Sequence, residues 1–377
     1  MKKIGNPGSP FRHIKTSGMV LMALLAISTG CKKQNLPKAL KDFKQVNLVA
    51  NNGEYANPHT DTSLINAWGL TFNSSGIAWV NSEAGHVSAL YDKEGVALRA
   101  PIKIPSPGTP AGGNPTGIVF NGSADFVLSN GQPARFIFVG LDGVLSAWNG
   151  NAGDTALRIK DNSANSAYTA LALARNNGVN TLYAANFRAG KIDVWDNTFS
   201  HLSMPFIDPM LPAKYSPFNI RALGEWLYVT YAKVGPDGDD EPGQGNGFVS
   251  IFTTDGKFVK RFASRGALNS PWGLEAAPAG FFVDDAENDA KLGHQDNKDP
   301  LPMILVGNFG DGRINAYTED GQFVGQLKTH GHSIVIDGLW AISFPPATAT
   351  DIDPNRLYFT AGPDDEKNGL FGYLIKD

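Results

Sequence analysis

One short sequence pattern recurs six times along this chain of 377 residues, and it constrains the fold more than any other feature. The pattern is a Gly, any residue, an apolar residue, a small or polar residue, an apolar residue and an aromatic one. Its copies are GHVSALY from Gly85, GVLSAW from Gly143, GKIDVW from Gly190, GFVSIF from Gly247, GRINAY from Gly312 and GLFGY from Gly369. Alternation with period two is typical of a half-buried β-strand. The chain is therefore predicted to repeat one β-rich unit six times.

Further β-rich segments surround each copy. The segments directly before the copies, such as TLYAANF and MILVGNF, can pair with them as hairpins. A fourth strand follows several copies after a turn such as TTDGKF, in which Asp-Gly supplies the turn conformation. Each repeat also has a short strand upstream of its hairpin; these strands begin at Trp68, Thr116, Thr169, Phe218, Trp272 and Trp340. Each unit is therefore predicted to hold four strands.

Four-stranded units repeated at roughly fifty residues are typical of a β-propeller. We therefore predict an all-β fold, a six-bladed β-propeller with four-stranded blades. The last repeat ends with GLFGYLIKD, directly after its third strand, whereas a spare strand, FKQVNLVA at Phe43–Ala50, stands before the first repeat. We expect this N-terminal strand to complete the last blade and close the ring.

Composition supports a globular protein and argues against a nucleic-acid partner. Hydrophobic residues make up 42% of the chain and charged residues 18%, which suits a packed core. The 42 Gly and 24 Pro are spread along the chain, as many short strands joined by tight turns require. A formal net charge of -4 gives no basic surface field, and no nucleic acid is expected as a partner.

The N-terminus has the features of an export signal. Basic residues precede the apolar run MVLMALLAI, which is short for a permanent membrane span and ends in STGC at Cys31. Small residues before a Cys resemble a bacterial lipobox, with Ser28 where Leu is commoner. Cys31 is the only cysteine, so no intrachain disulfide can form. Lipidation of Cys31 would make the membrane a partner of the protein.

These features divide the chain into three parts. Residues 1–30 are expected to be a lipoprotein signal peptide, residues 31–42 a polar tether after the lipidated Cys31, and residues 43–377 a single six-bladed propeller. The expected location is the cell envelope, anchored by lipid to a membrane, either in the periplasm or exposed at the surface.

The propeller region resembles a family of exported bacterial six-repeat propellers, some of which carry PEP-CTERM sorting tails. The resemblance is carried by LNSPWGLEAAPAGFF, ILVGNFGDGRINAY, IDGLWAISF and LYFTAGP, and it covers residues from about 45 to 377. More distantly, the blades are similar to NHL and gluconolactonase-like propellers, some of which bind calcium at the axis. The resemblance implies the fold and export, and it brings no established catalytic residue.

The predicted inner strands suggest one candidate site at the axis. Small residues such as Gly69 and Gly117 suit the crowded axis, and bulky neighbours such as Trp68, Trp272 and Trp340 are expected to form the core between blades. Three large polar residues of adjacent blades break this pattern; they are Asn219, Arg221 and Glu275. They could form a structural Arg221–Glu275 ion pair with a hydrogen-bonded Asn219, or the polar floor of an axial ligand site.

The loops between second and third strands suggest a second candidate site, on the face that propellers commonly use for binding. These loops carry Glu83 and His86, Asp142, Arg188, the insertion 233–246, Asp311 with Arg313, and the segment 362–368. Two of them are acidic and could hold Ca²⁺, or could be solvated acidic loops. A longer insertion, Asp284–Pro302, is expected on the opposite face. His330 and His332 could ligate a transition metal only with a third ligand from elsewhere.

The sequence thus favours a binding or interaction module for a protein or glycan of the envelope. The alternative is a Ca²⁺-dependent hydrolase or lactonase with an axial cation, for which Asn219, Glu275 and Asp337 are the candidate ligands. HExxH, GxSxG and P-loop motifs do not occur, so no catalytic residue can be assigned. Ca²⁺ is the one candidate cofactor.

Overall fold

The structure is a computed structural model that describes residues 40–278, 280–282 and 302–377. Blades 1 to 3 follow two leading strands; in chain order the strands are β1 (Phe43–Ala50), β2 (His59–Thr60), β3 (Ala67–Phe72), β4 (Ala78–Ser82), β5 (Val87–Tyr91), β6 (Ile102–Lys103), β7 (Pro115–Phe120), β8 (Phe136–Gly140), β9 (Val144–Trp148), β10 (Leu157–Asp161), β11 (Tyr168–Asn176), β12 (Val179–Asn186), β13 (Lys191–Trp195) and β14 (His201–Leu202). Blades 4 to 6 and a small hairpin before blade 6 contain β15 (Tyr215–Leu223), β16 (Trp226–Lys233), β17 (Gly247–Phe252), β18 (Phe258–Ser264), β19 (Pro271–Ala276), β20 (Met303–Asn308), β21 (Ile314–Thr318), β22 (Phe323–Gln326), β23 (Lys328–Thr329), β24 (His332–Ser333), β25 (Leu339–Ser343), β26 (Leu357–Ala361) and β27 (Leu370–Lys376).

Helical structure within these ranges is a single 3-10 turn at Gly150–Ala152. The described residues contain no helix that is long and apolar enough to cross a membrane.

The strands form six antiparallel blades arranged in a ring, which confirms the predicted six-bladed β-propeller. Blades 1 to 5 are four-stranded and run in chain order from the inner to the outer strand. In blade 6, β1 pairs antiparallel with β27, from Phe43 opposite Lys376 to Ala50 opposite Leu370. The ring is therefore closed by the N-terminal strand, as the sequence predicted. The short β2 adds a parallel fifth strand to this sheet, which the sequence did not indicate.

The closing strand is held by apolar side chains as well as by its hydrogen bonds. Phe43 is 1% exposed, and its ring centroid lies 4.9 Å from that of Phe281, which follows β19 of blade 5. Leu40 is also buried, so packing begins inside the segment expected to be a tether. The signal peptide, the tether up to residue 39 and nearly all of the insertion 284–302 lie outside the described residues.

Neighbouring inner strands approach so closely that only the smallest residues fit between them. A Cβ atom added to Gly69 would lie 2.1 Å from the carbonyl oxygen of Thr116 in the next blade, and one added to Gly117 would lie 2.3 Å from the amide of Leu171. These distances are far below van der Waals contact. A side chain at either position would therefore force the neighbouring inner strands apart. The expectation that small residues occupy this crowded region agrees with the structure.

Every inner strand has a β-bulge at the same place. The residues taken out of register include Trp68, Thr116, Thr169, Phe218, Trp272 and Trp340, the six positions at which the sequence placed the start of each inner segment. A bulge redirects the side chain it carries. Trp68, Trp272 and Trp340 are buried in the core and contact one another between neighbouring blades, as expected. Because of the bulges, the three rings meet near the axis. The Trp272 indole N–H reaches the carbonyl of Thr169, two blades away, at 3.2 Å.

Candidate functional site

A cavity of about 710 Å³ opens on the face that carries the loops between second and third strands. We call it the cup. Aromatic residues form its floor; four of the six predicted loops contribute to its wall, and a fifth contributes Phe309 to the floor. Its main lining residues are Trp68, Phe218, Phe309 and Trp340 in the floor and Leu141, Arg188, Asp237, Asp239, Asp240 and Glu366 in the wall.

The floor is a stack of rings that spans the propeller axis. Trp68 and Trp340 are stacked with centroids 3.5 Å apart, and Phe309 stacks on Trp340 at 3.9 Å. Trp272 meets Trp340 edge-on at 5.9 Å. Phe309 is half-buried, whereas the three Trp side chains are almost fully buried. The floor therefore separates the cup from the tunnel beneath it and offers an apolar surface to a ligand.

Asn66 connects this floor to the acidic wall. Its side chain is 1% exposed and accepts the Trp340 indole N–H at 2.8 Å. Its amide donates to Glu366 at 2.6 Å and to Glu83 at 3.2 Å, and Asn114 donates to the other oxygen of Glu83 at 2.7 Å. Three parts of the ring, namely blades 1, 2 and 6, are thus joined by one hydrogen-bond network.

Glu366 is carried by an unusual left-handed turn. Asp364, Asp365 and Glu366 have φ angles of 58°, 51° and 64°, a conformation that costs a non-Gly residue roughly 1 kcal/mol each. The turn is held by the Glu366 amide, which donates to the Gly362 carbonyl at 3.1 Å, and by Asp337, which accepts from the Asp364 amide at 2.9 Å. The strained backbone places a carboxylate in the wall of the cup.

Burial raises the pKa of Glu366 to about 7. The Asn66 hydrogen bond lowers this pKa, and the nearby charges of Glu83, Asp240 and Asp239 raise it further. A carboxyl group with such a pKa changes its charge in the physiological range.

Asp240 faces the same cavity from the long insertion of blade 4. Burial raises its pKa to about 6, with smaller increases from the neighbouring Asp239 and Asp237 and a decrease from Ser270. The two acidic loops that the sequence marked as separate features therefore meet across the cup.

The axial candidates lie at the other end of the inner strands. Arg221 forms an ion pair with Glu275, and the Ser343 hydroxyl lies 3.1 Å from Arg221 and 3.2 Å from Glu275. Asn219 donates its side-chain amide to the carbonyl of Trp272 at 2.5 Å. We call Arg221, Glu275 and Ser343 the axial cluster. The cavity beside it measures about 20 Å³, which accommodates about one water molecule.

The structure does not bring Asp337 to the axial cluster. Asp337 is exposed and precedes β25, whereas Ser343 ends the same strand, six positions later. At the usual rise per residue this separation is roughly 20 Å. The axial ligand set of the calcium alternative is therefore not assembled.

Metal ligation finds no support elsewhere in the described part of the chain. Within residues 40–278, 280–282 and 302–377, no group of three or more His, Cys, Asp or Glu side chains is arranged to hold a metal ion. His330 and His332 are exposed on the small hairpin, and no third ligand is placed beside them.

Sequence reasoning missed three residues of the cup: Asn66, Asp240 and Glu366 were not singled out as site residues. Asn66 lies outside the repeats and carries no motif. Asp240 and Glu366 belong to acidic segments that were noted as loops, and their convergence depends on contacts between blades 4 and 6. The available signal was the presence of two acidic loops in equivalent positions of the repeat.

Comparison with known proteins gives clear relatives. No protein-family profile matches the chain. Uncharacterized protein L690 of Acanthamoeba polyphaga mimivirus is 34% identical over 355 residues, which cover 88% of this chain and 86% of that protein. This relative is viral, whereas the resemblance seen in the sequence was to exported bacterial propellers.

Solved structures with a similar shape are more distant. A streptogramin B lyase is 12% identical, with a TM-score of 0.48, over 89% of this chain and 97% of its own. A gluconolactonase from Xanthomonas campestris is 14% identical, with a TM-score of 0.46, over 82% of this chain and 86% of its own. Because both TM-scores are below 0.5, the assignment of the six-bladed propeller fold is based on the strand pairing described above and not on these similarities.

Proposed function

This chain belongs to the family of mimivirus protein L690, and we propose that it is a binding module of the cell envelope whose ligand occupies the cup. The partner is a glycan or a protein segment that enters the cup. The lipobox-like segment that ends at Cys31 supports the location, and the cup supports the binding role.

The observation that carries this proposal is the cup itself. A cavity of about 710 Å³ with an aromatic floor and a few converging polar groups is the usual form of a ligand site. The wall comes from loops of separate blades, so their chemistry can vary while the ring that positions them stays constant. The tunnel beneath the floor is too small for a ligand.

The path of the chain is compatible with a lipid anchor. β1 begins at Phe43, beside Phe281, and Phe281 lies 4.9 Å from Phe344, directly after the inner strand β25. Strand β1 ends at Ala50, opposite Leu370 and close to the turn that carries Glu366. The chain thus enters the propeller on the side remote from the cup.

Blocking the cup tests the binding role. Ala189 is exposed and lines the cup, so Ala189→Trp should fill the mouth without disturbing the core. The matched control is Ala100→Trp, at an exposed position on the outer edge of blade 1. Calorimetric titration of the full chain with soluble envelope oligosaccharides and peptides should show binding that Ala189→Trp abolishes and Ala100→Trp retains. Binding that survives Ala189→Trp would place the site elsewhere.

The location has its own test. Replacing Cys31 with Ser should move the protein from the membrane fraction to the soluble fraction of the cells that produce it, because the thioether that carries the lipid cannot form. The cup should bind equally well in the soluble form. A Cys31→Ser protein that stays in the membrane fraction would contradict lipid anchoring at this residue.

A metal-independent hydrolase is the second candidate, favoured because the carboxyl groups of Glu366 and Asp240 line one cavity. The pKa values of about 7 for Glu366 and about 6 for Asp240 allow one carboxyl to act as acid while the other acts as base. Such an enzyme would hydrolyse esters or lactones with a rate maximum between these two values, and chelators would not inhibit it. Turnover that survives Glu366→Gln, or that a chelator removes, would exclude this pair.

A further inference from the structure

The charged side chains that line the cup are mostly acidic. Among the described residues that line it, four are acidic, namely Asp237, Asp239, Asp240 and Glu366, and Arg188 is the only basic one. The Arg188 guanidinium is engaged by the carbonyls of Ser163 and Ser166, each at 3.3 Å. In the described part of the chain none of the four carboxylates forms an ion pair. The cup therefore holds negative charge that the protein itself does not neutralise.

One buried polar atom at the cup also lacks a partner among the described residues. Trp68 is 3% exposed and lines the cup, and its indole N–H makes no hydrogen bond to any described residue. Buried polar groups are nearly always satisfied. A buried donor left unpaired at this cavity indicates a ligand that supplies an acceptor.

We infer that the cup binds an organic ammonium ion, with its charge between Glu366 and Asp240, its apolar part on the ring of Phe309, and a neighbouring oxygen at the Trp68 N–H. Carboxylates and aromatic faces both attract such a cation. This inference rests on the proposed function, because it names the ligand class of the same site.

Other ligands fit these observations less well. A metal ion would need three or more converging ligand side chains, and the described residues contain no such group. It would also make no use of the aromatic floor, because hard cations prefer oxygen ligands. A neutral glycan would leave Glu366 and Asp240 facing each other without compensation.

The surroundings of Glu366 predict how binding depends on pH. The groups that face it are Glu83 from blade 1, Asp239 and Asp240 from blade 4, and Arg188 across the cup, while Lys367 follows it on its own turn. Since burial raises the pKa of Glu366 to about 7, this group becomes neutral as the pH falls below 7. The affinity for a cation should therefore decrease in the same range.

Choline and 3,3-dimethylbutan-1-ol (dimethylbutanol below), in which a neutral carbon replaces the quaternary nitrogen of choline, form a matched pair of probes. They have nearly the same shape, and the charge of choline does not titrate. In calorimetric titrations of the full chain at pH 8, choline should bind at least tenfold more tightly than dimethylbutanol. Choline affinity should fall at least tenfold between pH 8 and pH 5. Equal binding of the two probes, or binding of neither, would overturn the inference.

Two carboxyl variants complete the test. Glu366→Gln keeps an oxygen for Asn66 and should reduce choline affinity at pH 8 at least tenfold. Glu225→Gln removes an exposed carboxylate from the β15–β16 turn and should leave the affinity unchanged. A glucosamine titration, with N-acetylglucosamine as its neutral control, separates an amine on a glycan from a free cation. If a neutral oligosaccharide binds in the cup and no ammonium probe does, the inference fails while the proposed function stands.

Discussion

The cup and the axial cluster lie at opposite ends of the same inner strands. Charged side chains form an ion pair in the axial cluster, whereas the carboxylates of the cup do not. In the axial cluster the Arg221 guanidinium neutralises Glu275, and the nearby cavity is about 20 Å³. In the cup, Glu366 and Asp240 form no ion pair within the described residues, and the cavity is about 710 Å³. Compensated charge without space is typical of a structural ion pair, whereas uncompensated charge with space is typical of a binding site.

The comparison shows why large polar residues near an axis are a weak indication of function. Arg221 and Glu275 stand out in the sequence because their strand neighbours are apolar, yet they satisfy each other. Glu366 stands in an ordinary acidic loop, yet it is held by a strained turn and by the buried Asn66. The chemical state of a charged group depends on its surroundings more than on its place in a pattern.

The largest expected effect is a difference in the free energy of unfolding between two substitutions on one strand, one in the cup and one in the axial cluster. Trp340 lies in the floor of the cup and Ser343 in the axial cluster, both on β25. Trp340→Ala should lower the free energy of unfolding by about 3–5 kcal/mol, because it removes a buried ring that stacks on two others. Ser343→Ala should cost less than about 1 kcal/mol, because Arg221 and Glu275 keep each other. Urea denaturation measures both; equal costs would contradict the assignment of the floor.

Breaking the axial ion pair should change stability and leave binding intact. Glu275→Ala leaves Arg221, which is 32% exposed, without its partner, so the free energy of unfolding should fall by about 2 kcal/mol. Titration of the cup with choline should give the wild-type affinity. A loss of affinity comparable to that of Glu366→Gln would show that the axial cluster belongs to the binding site.

Removing a charge from the cup should stabilise the protein, whereas removing one from the axial cluster destabilises it. The folded-state pKa of Glu366 is raised from 4.5 to about 7, so folding binds a proton in this window and stability is lost as the pH rises from 4.5 to 7. Glu366→Gln removes this loss and should stabilise the protein at pH 8 by about 1–2 kcal/mol, after allowance for partial solvent exposure. Thermal unfolding of both proteins across this pH range is the measurement. A variant less stable than the wild type at pH 8 would contradict the uncompensated charge.

The smallest expected effect concerns Asp337, which the sequence grouped with the axial residues. Because it accepts from the Asp364 amide, Asp337→Ala should destabilise the left-handed turn by about 1 kcal/mol, as loss of a side-chain cap does. Choline affinity should fall severalfold, since the turn positions Glu366. A decrease in stability with unchanged affinity would show that the turn does not position the carboxylate.

The fold could be predicted because its signals are local and repeated. Period-two alternation, turn residues and the missing outer strand of the last repeat all lie in short segments, so Phe43–Ala50 was identified as the closing strand. The Arg221–Glu275 pair followed from the same register. The orientation of Trp68, Trp272 and Trp340 did not, because a bulge shifts the side chain by one residue without changing the hydrophobic pattern.

The cup could not be predicted for a different reason. Asp240 and Glu366 are 126 positions apart, and they meet only because the ring brings blades 4 and 6 to one mouth. The buried position of Asn66 depends on contacts with Trp340 and two carboxylates from distant segments. A single sequence contains no period or spacing that reports such convergence.

The central claim is that the cup contains a half-buried carboxylate, that of Glu366, which forms no ion pair with any described residue. The most direct test follows the side-chain carboxyl carbon of Glu366 by NMR through a pH titration of the isotope-labelled protein, with Glu366→Gln to assign the signal. The account predicts a midpoint near 7 in the free protein and a lower midpoint when choline fills the cup. A midpoint near the ordinary value of 4.5 would show that the carboxylate is solvated or neutralised, and would contradict the account.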